Sequence, residues 1–171
     1  MVDSRLLPIT LLLATVWFCS LTLAAQRSPD RTNDGGKLQV DIPSLQQFAH
    51  QGDGNAAYLL GRAYMMGTGV AQDYRESAKW FLQAAAKGSS DAEFALGYLY
   101  EQGKGVARDY PQALRHYSTA AIKGHSEAQN NLASMYEHGR GVGKNLQEAT
   151  RWYGAAASQG EVIAQCNLAS L

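Results

Sequence analysis

The chain opens on an uninterrupted apolar run. Residues 6–25 (LLPITLLLATVWFCSLTLAA) carry no charge, and only Arg5 and the α-amino group place positive charge ahead of them, with Asp3 offsetting one. Two elements suit this pattern. A secretory signal peptide ends in small residues, which Ala24 and Ala25 supply, with Thr22 two positions before Ala24. An uncleaved membrane anchor needs about 30 Å of helix, which such a run reaches at about 1.5 Å per residue. Either element exports the chain from residue 26 onward. Large residues, Val16, Trp17 and Phe18, precede Cys19 where a lipoprotein signal carries small ones, which argues against lipidation. The pattern then turns polar. Residues 26–39 (QRSPDRTNDGGKLQ) mix Pro29, Gly35, Gly36 and charges of both signs, a composition that predicts a flexible tether rather than a packed element.

Beyond residue 40 the apolar positions become periodic. Gly52, Gly88, Gly124 and Gly160 stand 36 residues apart, and three full copies align as 53–88, 89–124 and 125–160, with a partial copy at 161–171. Nine columns are identical in the full copies: Ala56, Leu60, Tyr64, Gly67, Gly69, Val70, Ala84, Ala85 and Gly88, each recurring 36 and 72 residues on. A fixed period of this size is the mark of a solenoid.

Each copy predicts helix, short loop, helix. Ala56, Leu60 and Tyr64 recur every four residues and line one helical stripe. Gly67, Gly103 and Gly139 suit a left-handed helix end, and Gly69, Gly105 and Gly141 a tight reversal, with the next valine turned back between the helices. Asp73, Asp109 and Asn145 then read as N-caps, with Glu76, Gln112 and Glu148 three positions on completing a capping box. The second helix carries Trp80, His116 or Trp152 and Phe81, Tyr117 or Tyr153, closing on the alanine pair. Residues 43–51 fit the second-helix frame and predict a lone helix over the first edge. Ala164, Leu168 and Leu171 fit the first-helix frame and predict a covering helix at the other edge.

The run AxxxLGxxYxxGxGVxxDxxxAxxWxxxAAxxG resembles the Sel1-like repeat, the 36-residue relative of the tetratricopeptide repeat. Copy one matches with Ser77 in the usual alanine position. Copy two has His116 for the tryptophan, and copy three has Ala133 for a glycine and Asn145 for the aspartate. The resemblance covers 53–160 fully and about 41–171 with the part-copies. It implies an all-α fold, an α/α solenoid, that acts as an adaptor in assemblies and is often exported in bacteria. Some cysteine-rich members carry a disulfide in each repeat. This chain lacks those cysteines, so that subgroup and its β-lactam binding are not implied.

Composition narrows the function. The 171 residues hold 15 Lys+Arg against 15 Asp+Glu, and a net charge of zero offers no electrostatic footprint for nucleic acid. Neither a cofactor nor a metal is expected. The histidines, His50, His116, His125 and His138, have no metal-ligand spacing with one another or with cysteine. His116 fills a tryptophan column and reads as a packing residue. The GTGV, GKGV and GRGV stretches follow helices and lack the GKS/T ending of a phosphate loop. Cys166 has no histidine near in sequence and reads as a small, partly covered apolar residue.

Binding is therefore the expected chemistry. In tetratricopeptide-like stacks the first helices line the concave surface. The stripe opposite the core holds Asn55, Tyr58, Arg62 and Met65, then Asp91, Phe94, Tyr98 and Glu101, then Glu127, Asn130, Ser134 and Glu137. These columns vary between copies. Tyr58, Phe94 and Tyr98, flanked by charge, have the chemistry of partner anchors, with Tyr98 expected exposed at mid-stripe. Packing between copies is the competing role for the same rings. The candidate partner face is thus Tyr58, Arg62, Met65, Phe94, Tyr98, Glu101, Asn130 and Ser134. The expectation is an exported, periplasmic or secreted, non-catalytic scaffold for a protein or peptide, touching membrane only through residues 6–25 if these stay uncleaved. The alternative is a cell-envelope hydrolase or peptidoglycan-binding accessory protein, which a clustered carboxylate pair or a His–Cys pair would favour.

Overall fold

The computed structural model describes residues 41–171. The leader and tether expected over residues 1–40 lie outside the described residues. Eight helices follow one another: α1 Ile42–His50, α2 Gly54–Met66, α3 Tyr74–Ala86, α4 Ser90–Gln102, α5 Tyr110–Ile122, α6 Ser126–His138, α7 Leu146–Ser158 and α8 Val162–Ser170. No strand occurs among the described residues. The pairs α2/α3, α4/α5 and α6/α7 are the three full repeats, and each helix packs chiefly on the one before and the one after it. The lone second-type helix at the first edge is α1, and α8 is the first-type helix at the last.

The invariant leucine and alanine columns of the helices supply much of the interior. Leu60, Leu96 and Leu132 are fully buried or nearly so, as are Ala84, Ala120 and Ala156. Small residues let the paired axes approach closely, and large rings fill what remains. The Phe81 ring lies over Gly61 and the Tyr117 ring over Gly97, so closely that a Cβ on either glycine would stand 2.5 Å from the ring. Ser77, which replaces the usual alanine, is buried and satisfies its hydroxyl by donating to the Gly61 carbonyl at 2.8 Å.

The loops close as the glycines require. Gly103 ends α4 at φ 68°, and Gly105 follows at φ 72°. Gly105 does more than reverse the chain. Its α-carbon lies against the first turn of α3 in the preceding repeat, where a Cβ would be 2.3 Å from the Tyr74 carbonyl. Gly141 stands likewise on Tyr110. The second glycine of each of these two motifs is thus also a contact between repeats.

One local expectation needs correction. The Asp73 carboxylate accepts from the N–H groups of Arg75 and Glu76, as an N-cap should. The reciprocal half of the capping box does not form. The Asp73 N–H donates instead to the Tyr64 carbonyl at 2.9 Å, and Asp109 and Asn145 donate equally to Tyr100 and Tyr136. With that donor taken, Glu76 turns to Lys79, Gln112 accepts from Arg115, and Glu148 accepts from Arg151.

At the last edge Ala164 is fully buried with Ala149, Tyr153 and Ala156, and Leu168 packs against them. Much of the rest of α8 is bare. Val162 and Ile163 are exposed, and so is Cys166, for which the repeat pattern predicts partial cover.

Candidate functional site

The face opposite the core is built by α2, α4 and α6, whose four-residue spacing brings the variable columns to one side. Tyr58, on α2, is half-buried; its ring centroid is 5.8 Å from that of Phe81, and the exposed Arg62 guanidinium lies 5.9 Å from it. Burial, then the nearby Asp91 carboxylate, pushes the Tyr58 phenol above its ordinary range. Met65 is half-buried against the first core cluster.

Phe94 and Tyr98, on α4, are also half-buried rather than freely exposed. Phe94 leans on Tyr117 at 5.9 Å and stacks on His125 at 4.6 Å, 22° from parallel. Tyr98 is held by Lys104, whose Nζ donates to the phenol oxygen at 2.7 Å and lies 4.9 Å from the ring centroid. Each of these rings is therefore packed on one side and accessible on the other.

Glu101 is committed to a network. It accepts from the buried Tyr117 hydroxyl at 2.9 Å and from Arg140, in the next repeat's loop, at 3.3 Å. Glu137 accepts from Tyr153 in the same way at 2.8 Å. Burial first, and then the hydrogen bond to Glu137, pushes the Tyr153 phenol up to about 12, and burial raises that of Tyr117 further. Asn130 accepts from Asn167 on α8 at 3.0 Å, and Ser134 lies within 3.5 Å of His138 Nδ1.

The structure therefore gathers Tyr58, Arg62 and Asp91 at one end, Phe94 with His125 in the middle, and an amide pair, Asn130 and Asn167, at the other end. Met65 and Glu101 serve the repeat contacts first. Helical spacing misses four contributors: His125, Lys104, Arg140 and Asn167. His125 occupies an N-cap position, where its Nδ1 accepts from the Ala128 N–H at 3.3 Å. Asp91 lies 3.4 Å from its Nε2 and Glu127 3.1 Å from its Nδ1. Its signal in the sequence is positional, since Asp53 and Ser89 cap the equivalent helices. Lys104 and Arg140 share one loop column between the two glycines.

Among the described residues no group of three or more His, Cys, Asp or Glu side chains is placed to hold a metal ion. No helix among them is long and apolar enough to cross a membrane.

The Sel1 repeat family model matches residues 54–89, 90–125 and 126–161, one residue out of phase with the glycine frame. The chain belongs to the Sel1 repeat family. Sel1 repeats typically serve protein–protein interaction and generally act as binding scaffolds rather than enzymes. Solved structures agree. A Sel1 repeat protein from Oxalobacter formigenes is 36% identical at a TM-score of 0.70, over 77% of this chain and 98% of that one. A protective antigen of uropathogenic Escherichia coli with an SLR fold is 32% identical at a TM-score of 0.72, over 74% of this chain. This chain spans only 27% of that antigen's length. Cysteine-rich protein B of Helicobacter pylori, 22% identical at a TM-score of 0.61 over 78% of this chain and 98% of that one, shares the fold. No curated protein sequence matches the chain.

Proposed function

We propose that this Sel1 repeat protein is an exported, non-catalytic scaffold that holds a protein or peptide partner on the outward stripe of α2, α4 and α6. The observation that carries the reading is the mixed state of Tyr58, Phe94 and Tyr98. Each ring is braced on the core or on a cation yet keeps accessible surface, Tyr58 beside Arg62 and Asp91, Phe94 beside His125 and Tyr98 beside Lys104. Braced aromatics lose little side-chain freedom on binding, which is the quality of an anchor. The polar character changes along the face, from Tyr58 and Arg62 to Asn130 and Asn167, so a partner would bind in one direction.

The hydrolase alternative calls for a carboxylate in a desolvated setting. Asp91 and Glu127 flank His125 but are 56% and 59% exposed, which suits a partner's polar rim better than an acid catalyst. Export rests on the apolar run at residues 6–25.

Two experiments test this reading. Capture from a cell-envelope fraction with the full chain as bait should recover a specific protein, and Arg62→Glu combined with Asp91→Lys should weaken its capture at least about tenfold. Both positions are exposed, so circular dichroism should stay unchanged and the loss of Asp91 from the first turn of α4 should lower melting only by a few degrees, about 1 kcal/mol or less; undiminished capture would place the partner elsewhere. Fractionation of cells expressing the full chain should find it outside the cytoplasm, and intact chain in the soluble cytoplasm would overturn export.

A further inference from the structure

The middle repeat holds a buried imidazole where its neighbours hold an indole. His116 is 2% exposed, in the column of Trp80 and Trp152. Both ring nitrogens are engaged. Nδ1 lies 2.7 Å from Glu93 Oε2 on α4, and Nε2 lies 3.0 Å from an Arg115 guanidinium nitrogen on its own helix. The Tyr100 ring, also on α4, stacks on the imidazole at 5.4 Å and 8° from parallel.

These contacts define the tautomer. A guanidinium only donates, so Nε2 accepts; a carboxylate only accepts, so the proton sits on Nδ1. The neutral ring is fully satisfied. A second proton must go on Nε2, against the Arg115 guanidinium, and would charge a ring that is 2% exposed. Glu93 is the one group that would welcome it, and it is already hydrogen-bonded in the neutral state. Glu93 and Arg115 are the charged groups that act on the ring, and among the described residues α3 and α6 bring no charged side chain within hydrogen-bond range of it.

We propose that His116 is an acid-sensitive latch of the middle repeat: neutral, it satisfies Glu93 on α4 and Arg115 on its own helix at once, and protonation at Nε2 expels Arg115, places a charge on a buried ring and costs the middle repeat stability. Burial pulls the imidazole below its ordinary value of 6.5, outweighing Glu93. A histidine lowered in the folded state leaves stability intact above 6.5, and stability falls as pH drops from there toward the folded value. Phe94 and Tyr98 ride on the helix that Glu93 holds, so acid would also disturb the proposed binding face. That consequence rests on the proposed function; the latch does not.

The test uses the full chain without any partner. NMR titration of the His116 ring should give a midpoint below 6.5, and Arg115→Ala should raise it. Between pH 7.5 and 5.5 the wild-type Tm should fall by about 3 °C more than that of His116→Trp, which installs the residue of the other two repeats. Over the same change, amide protection factors, which correct for the slower intrinsic exchange at lower pH, should fall in residues 90–122 more than in 126–158. A midpoint at or above 6.5, or equal acid losses of Tm, would overturn the latch. If His116→Trp does not fold, the wild-type midpoint and the Arg115→Ala shift decide alone.

Discussion

Tyr117 and Glu101 stand sixteen residues apart, as do Tyr153 with Glu137 and Phe81 with Met65. Where the ring carries a hydroxyl the partner column carries a carboxylate to receive it, and where the ring is phenylalanine that column holds methionine. Glu101→Met alone strands the buried Tyr117 hydroxyl and should cost about 1–3 kcal/mol in urea denaturation. Adding Tyr117→Phe recreates the pair of the first repeat and should recover most of the loss, a coupling of about 1 kcal/mol or more in a double-mutant cycle. Equal losses in the single and double variants would contradict the pairing. The covariation lies in the sequence, but helical spacing reports the angle of a residue around its own helix, not its neighbour on the next. Spacing alone therefore makes Glu101 a partner contact when its first duty is to the fold. It makes Tyr98 exposed for the same reason: Lys104 reaches it from a loop, where periodicity says nothing.

The loop is the element that converts pattern into geometry. Gly103→Ala meets a positive φ and a Cβ contact of 3.1 Å with Arg108, and should cost about 1 kcal/mol or more. Gly105→Ala adds a clash with backbone of the preceding repeat, which cannot swing aside, and should cost at least about 1 kcal/mol beyond that. Thr68→Ala, exposed in the equivalent loop of the first repeat, is the control and should stay within about 0.5 kcal/mol. Urea midpoints at constant m-value give the order; Gly105→Ala no worse than Gly103→Ala would remove its role between repeats. The left-handed glycines and the caps are legible in the sequence because each answers a local backbone need. The failed half of the capping box is not, because the competing acceptor, the carbonyl of Tyr64, Tyr100 or Tyr136, belongs to the previous helix.

At the level of the whole molecule, a period of 36 makes the solenoid legible in full, since a unit that cannot bury its own apolar face must stack. The ends obey the same need unequally. α1 buries Ile42, Leu45 and Ala49, whereas α8 buries only Ala164 and has no side-chain N-cap bond. Deleting residues 161–171 uncovers the last core cluster and should lower Tm and promote self-association, as light scattering would record. A deletion variant that stays monomeric with unchanged Tm would mean that α8 protects nothing. The hydrogen bond from each second-helix cap back to the first-helix tyrosine carbonyl also bears on proteolysis. To a protease, stretches such as GKGVARD look like open linkers, rich in glycine and bearing lysine and arginine. Yet an extended strand of about eight residues must enter a protease cleft, and here both ends of the stretch are tied to one helix. Trypsin should therefore spare Lys104, Arg108, Arg140 and Lys144 in the native chain and leave residues 54–158 together within one resistant fragment, although these are its most conspicuous targets.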